Sequence, residues 1–121
     1  MPKLWYHAAL LKWADDWSGA SDLEYYLWIK AVDIRLRDGW TIPPGRRYLR
    51  RMAGLAIAET AMPSVFGSDI ERAKFLGMDK SRFSRVWKPR YELVYQELND
   101  LASYGYRYVA KKNLDIGATE N

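Results

Sequence analysis

The residue types best suited to chemistry in this chain are cations and hydroxyls, and they cluster. Within Ser68–Tyr91 (SDIERAKFLGMDKSRFSRVWKPRY), Lys80, Ser81, Arg82, Ser84, Arg85 and Lys88 follow one another over little more than two helical turns. A guanidinium bonds bidentately to phosphate or to the edge of guanine, an ammonium acts as a point charge, and a serine hydroxyl both donates and accepts. Together these groups suit the recognition of a polyanion. At the N-terminal end of a helix, Lys80, Ser81 and Arg82 would meet base edges, with Arg82 or Arg85 bidentate to guanine. Lys74, Lys88 and Arg90 would reach phosphates, which position a protein on a duplex without reading its sequence.

A second basic group stands earlier in the chain. Arg46, Arg47, Arg50 and Arg51 fall at i, i+1, i+4 and i+5, so one helix face carries all four. Like charges this close repel. A phosphate backbone or an acidic protein surface would offset that cost, while flanking acids and solvent are the ordinary alternative.

Other chemistries have little to work with. The sequence has no Cys and a single His, and it lacks a glycine-rich phosphate loop. The adjacent Asp15 and Asp16 would project to different sides of a helix instead of converging as an acid–base pair. No enzyme, cofactor or metal is expected, and His7 is read as a surface or packing residue. Residues 41–90 carry 11 Lys and Arg against 4 Asp and Glu, whereas residues 1–40 carry 5 against 6. The positive field is therefore central, a distribution that attracts polyanions.

The elements that must position these groups read as helices. At 121 residues, 49% hydrophobic and 15% aromatic, with six Trp and nine Tyr, the chain is far from a disordered composition and long enough for one core. Residues 3–17 space Tyr6, Leu10, Trp13 and Trp17 as an inward aromatic stripe, with Ser18-Gly19 breaking the helix. Ser21 and Glu24 form a capping box that opens a second helix through Leu23, Leu27, Lys30 or Ala31, and Ile34 to Asp38, and Gly39 follows as its C-terminal stop. GWTIPPG is a loop, with Trp40 and Ile42 anchoring it. Residues 46–62 return to helical spacing at Leu49, Met52 or Ala53, Ala56 and Ile57, and Pro63–Gly67 is a connector.

In the central stretch Ser68 or Asp69 caps a helix to Leu76, with Ile70, Ala73 and Leu76 or Phe75 facing inward. Ala73 allows close approach, Gly77 takes the turn, Met78 plugs it, and Asp79 caps the next helix, whose inward positions are Phe83 and Val86 or Trp87. That is a helix-turn-helix pattern. Pro89 kinks or restarts the helix, the inward set resumes at Tyr91, Val94, Leu98 and Leu101, and Ser103-Tyr104-Gly105 ends it. The alternating Tyr104, Tyr106 and Tyr108 allow a short extended segment. The expected architecture is thus all-α, about five helices in a single domain over residues 1–110, with a polar tail over 111–121. No stretch approaches the length of a membrane span and no cleavable leader is evident, so a soluble, non-secreted protein is expected, and the lack of Cys fits a reducing cytoplasm.

The run Phe83-Ser84-Arg85-Val86-Trp87-Lys88-Pro89-Arg90-Tyr91-Glu92-Leu93-Val94 resembles the C-terminal segment of lambdoid phage antitermination proteins of the Q type. The shared features are an aromatic residue, a polar or basic pair, Lys-Pro-x-Tyr and an aliphatic helix, carried here by Phe83, Ser84, Arg85, Lys88, Pro89 and Tyr91. Lambda-type members carry a cysteine-rich zinc insertion, which a chain without Cys does not share. The resemblance implies a phage transcription regulator that binds double-stranded DNA near a promoter and modifies host RNA polymerase to read through terminators. It also implies that the aromatic N-terminal helices or the Arg46–Arg51 face meet the polymerase. Two other readings use the same residues: a phage or plasmid repressor or packaging protein, often a symmetric homodimer on its site, and an adaptor that docks its basic faces on an acidic protein surface.

Overall fold

The computed structural model describes residues 2–39 and 46–120, with side chains over 3–39 and 48–111. Most of the described residues are helical, and no strand occurs among them. The helices are α1 (Pro2–Ala14), α2 (Ala20–Asp38), α3 (Arg46–Ala61), the single turn α4 (Pro63–Phe66), α5 (Asp69–Leu76), α6 (Lys80–Arg82) and α7 (Lys88–Glu120), with a π turn over Phe83–Trp87 between α6 and α7. One hydrophobic cluster unites them, drawing on Leu11, Leu27, Leu49, Met52, Leu76, Phe83, Trp87, Tyr91 and Leu98.

α3 runs through the middle of that cluster. Its expected inward positions Leu49, Met52, Ala53, Ala56 and Ile57 are all buried, and α2 presents Leu23, Leu27, Ala31 and Ile34 to the core. Burying a Leu or Ile of this kind stabilises the fold by about 1.5–3 kcal/mol. α2 ends as its glycine requires: Gly39 adopts φ 70° and its N–H bonds to the carbonyl of Arg35. The start of α2 differs from expectation. Gly19, not Ser21, is the N-cap, and the capping box does not form. The imidazole of His7 lies so close to Gly19 that any β-carbon there would overlap it, and Leu23 N–H takes the Gly19 carbonyl. The helix thus begins before Ser21 can cap it, and Glu24 is left for another partner.

α1 also differs. It stops at Ala14, with Asp15 in the left-handed region at φ 51°, a conformation that Asp tolerates better than most residues. Asp15 and Asp16 therefore lie beyond the helix: Asp15 accepts a 2.7 Å bond from Trp17 Nε1, and Asp16 accepts from Ser18 N–H. The inward aromatic stripe is overturned, since Tyr6, Trp13 and Trp17 are 44%, 53% and 41% exposed while Ala8 and Leu11 are buried. The cause is a close crossing with α7, where a β-carbon on Gly105 would overlap the carbonyl oxygen of Trp5. Only small side chains fit at such a crossing. The aromatics flank it instead, Trp5 against Tyr104 and Trp13 against Tyr106 at ring separations of 5.7 and 5.3 Å.

Gly105 is thus a packing position within α7 and not its end. The expected stop at Ser103-Tyr104-Gly105 and the extended Tyr104–Tyr108 segment are both replaced by helix, whose backbone continues to Glu120. From Lys80 to Glu120 the chain forms one helical rod, on the order of 60 Å long at 1.5 Å per residue. Pro89 does not break it. Proline lacks an N–H and its ring crowds the carbonyl four residues back, and the wider π turn precedes it, with Lys88 N–H bonding to the Phe83 carbonyl. The inward set Phe83, Trp87, Tyr91, Val94, Leu98 and Leu101 is buried as expected. The connector after Met62 contains the α4 turn, begun by Pro63 as a first-turn proline. Trp40 and Ile42, the expected loop anchors, lie outside the described residues.

Candidate nucleic-acid interface

Local sequence builds the corner between α5 and α6 in detail. Ser68, extended at φ −107°, accepts a bond from Glu71 N–H and caps α5. At the other end Gly77 takes φ 75°, its N–H bonds to the Lys74 carbonyl, and Met78 N–H bonds to the Ala73 carbonyl. This pair of bonds is the Schellman closure of a helix. Ala73 is buried where α5 faces the core, and Met78 packs against it. Asp79 then caps α6, its carboxylate accepting from Arg82 N–H at 2.8 Å. Phe83 and Trp87 are buried and Val86 is exposed, which decides between the alternative inward positions in favour of Trp87. Ile70, expected inward, is exposed, and half-exposed Phe75 meets Phe66 edge-on at 5.7 Å.

The candidate recognition residues divide. Lys80, Ser81, Arg82 and Arg85 are exposed. Arg82 lies with its guanidinium 5.7 Å from the Tyr48 ring centroid, and Arg85 Nε donates to the Ser81 carbonyl at 3.4 Å. Lys74 is exposed, 3.6 Å from Glu71. Ser84 and Lys88 are partly buried and turn inward: Ser84 Oγ donates to Asp69 Oδ2 at 2.9 Å, and Lys88 Nζ donates to the same oxygen at 3.3 Å. Arg90 is also partly buried, its guanidinium 4.9 Å from the Trp87 ring, and loss of solvent pulls its pKa below the ordinary value. Of the arginines on α3, Arg50 pairs with Glu24 at 3.2 Å and sits 5.6 Å from the Trp28 ring. Arg51 Nη1 donates to the carbonyl of Leu76 at the end of α5. The side chains of Arg46 and Arg47 lie outside the described residues.

Behind the corner stands a polar network that sequence reasoning did not find. Arg72 binds Glu59 with two parallel bonds of 2.7 and 2.8 Å and reaches Asp69 at 3.2 Å, while Tyr91 Oη donates to Glu59 Oε1 at 3.0 Å. Glu59 is 4% exposed. Burial would push the Asp69 carboxyl up, but the bonds from Ser84 and Lys88 and the charges of Lys88 and Arg72 outweigh it and hold the carboxyl below its ordinary value. Burial, reinforced by the Glu59 carboxylate, pushes the Tyr91 phenol well above the ordinary range. Bonding to Glu59 likewise raises Arg72, against its burial. The available signal was Glu59 itself. It continues the inward spacing Met52, Ala56, Glu59, and a buried carboxylate calls for a cation.

Among the described residues no group of three or more His, Asp or Glu is gathered so as to hold a metal ion, and no helix is long and apolar enough to cross a membrane. The chain matches no protein-family model, no curated protein and no solved structure.

Proposed function

We propose that this chain is a sequence-specific DNA-binding regulator that reads a duplex with α6 and the π turn, α5 and α6 acting as a helix-turn-helix. The observation that carries this reading is the corner. Its two caps, the left-handed Gly77 and the buried Ala73, Phe83 and Trp87 leave Lys80, Ser81, Arg82 and Arg85 exposed on one short helical stretch. A single α-helix fits the major groove, and its N-terminal residues are the ones that reach base edges. Ser84 and Lys88, engaged by Asp69, hold the reading helix to α5 and leave base contact to Lys80, Ser81, Arg82 and Arg85.

The finer reading is phage antitermination. The resemblance of Phe83–Val94 to Q-type proteins supports it, and so does the exposed aromatic edge of Tyr6, Trp13, Trp17 and Tyr106. Amphipathic rings of this kind are enriched in protein contacts, as engagement of RNA polymerase requires. The test is a transcription assay with bacterial polymerase on a template that carries a terminator beyond a promoter bound by the protein. Increased read-through is the expected result. Duplex binding without increased read-through would favour a repressor or packaging protein, and read-through without duplex binding would favour an adaptor.

A further inference from the structure

Two arginines from basic groups that are separate in sequence, Arg51 and Arg82, reach across between α3 and the corner, each from its own side. From α3, Arg51 extends to the corner: its Nη1 donates to the Leu76 carbonyl at 3.2 Å, and a β-carbon on Gly77 would come within 2.9 Å of it. From α6, Arg82 reaches back and lays its guanidinium over Tyr48, one helical turn before Arg51. Residues 77–82 therefore cross the N-terminal half of α3. Arg51 and Arg82 remain exposed, as do Lys80 and Arg85. The acid within this strip is Asp79, whose carboxylate is occupied in capping α6. Glu24 lies at its margin, paired with Arg50.

The contact with Leu76 uses one N–H of Arg51, which leaves the rest of the guanidinium fork to bond elsewhere. The carbonyl end of α5 also carries partial negative charge that holds a cation there. The side chain is thereby fixed beside the start of the reading helix. A duplex seated against Lys80–Arg85 would have its flanking phosphates next to α3.

We propose that Arg51, held on α3 beside the corner, forms a phosphate clamp on the same duplex that α6 reads, so that Arg51 and the exposed cations of α6 are one nucleic-acid surface and Arg51 does not serve a separate protein partner. This rests on the DNA-binding reading above. A clamp of this kind sets affinity and orientation, not base preference.

The test compares salt dependence of duplex binding for the full chain, Arg51→Gln, Arg51→Lys and Arg82→Ala. Loss of one phosphate contact reduces the slope of log K against log salt by about 1 and weakens binding about fivefold near 0.15 M salt. That change is expected for Arg51→Gln, equally on preferred and unrelated duplexes, with Arg51→Lys restoring most of the slope. An unchanged slope in folded Arg51→Gln, with binding weakened by Arg82→Ala, overturns the clamp and leaves the reading helix standing. Failure of the unaltered chain to bind any duplex at low salt overturns both. A second measurement does not depend on how Arg51→Gln folds. The chain has no Cys, so Arg50→Cys carries an iron chelate at a single site on α3. Strand cleavage beside the bound site supports the clamp, and absence of cleavage from a bound protein overturns it.

Discussion

At the scale of single residues, the polar network behind the corner makes the sharpest demands. Arg72 neutralises Glu59, and both are largely withdrawn from water, with side chains 15% and 5% exposed. Removing one partner strands the other, which typically costs about 3–5 kcal/mol. Arg72→Met should therefore lower the free energy of urea unfolding by that order. The double variant Arg72→Met with Glu59→Gln should recover part of the loss, because the uncompensated charge is gone. Asp69 gives a pH signature. Its folded pKa lies below the ordinary 3.8, so its contribution is present above that value and is lost as pH falls through the folded pKa. Acid titration of stability should show this loss below about pH 4, and Asp69→Asn should flatten it. Little of this network was legible in sequence. An acidic side chain on an inward face signals a buried cation, but seven cationic residues of the central stretch could have supplied it, and only their spacing in three dimensions selects Arg72.

At the scale of elements, most of the parts that short-range rules govern were legible, the unformed Ser21–Glu24 capping box being the exception, and the parts that depend on helix crossings were not. Caps at Ser68 and Asp79, left-handed glycines at 39 and 77 and the inward positions of α2 and α3 all follow from contacts within a few residues. The orientation of α1 does not. Helical spacing marks Tyr6, Leu10, Trp13 and Trp17 as an apolar face, yet Gly105 approaches Trp5 and Ala9, and the buried positions of α1 are Ala8, Ala9 and Leu11. Gly105 itself illustrates the ambiguity, because a glycine near Ser and Tyr reads as a stop when taken locally. In an exposed helix, Gly→Ala gains about 1 kcal/mol. Here the added carbon meets backbone, which cannot swing aside, so Gly105→Ala should instead destabilise, by about 1–3 kcal/mol. Thermal unfolding of the variant gives the sign directly. At Gly77, where φ is 75°, any side chain is strained by roughly 1–2 kcal/mol, and Gly77→Ala should both lower the melting temperature and weaken DNA binding.

For the molecule as a whole, charge and shape divide the surface. The α5–α6 corner and the adjacent part of α3 concentrate exposed Lys and Arg, while the α1–α7 edge exposes Tyr and Trp. The central excess of basic residues was visible in the sequence. Its convergence into one strip was not, because Arg51 and Arg82 are brought together by the packing of α3 beneath the corner. Such a surface should bind duplex DNA with strong salt dependence, since each neutralised phosphate releases a counterion. Within it the residues should act differently: Arg82→Ala should cost about 1–3 kcal/mol on the preferred site and relax base preference, whereas Lys74→Ala should weaken all duplexes alike. The most direct measurement is fluorescence anisotropy of a labelled duplex, first with a random-sequence pool to select the preferred site and then with that site at rising salt. Saturable binding is expected that weakens steeply as salt increases, and that falls to the level of unrelated DNA when Lys80, Arg82 and Arg85 are all replaced by Ala. Absence of duplex binding at low salt, or unchanged site preference in that triple variant, would contradict it.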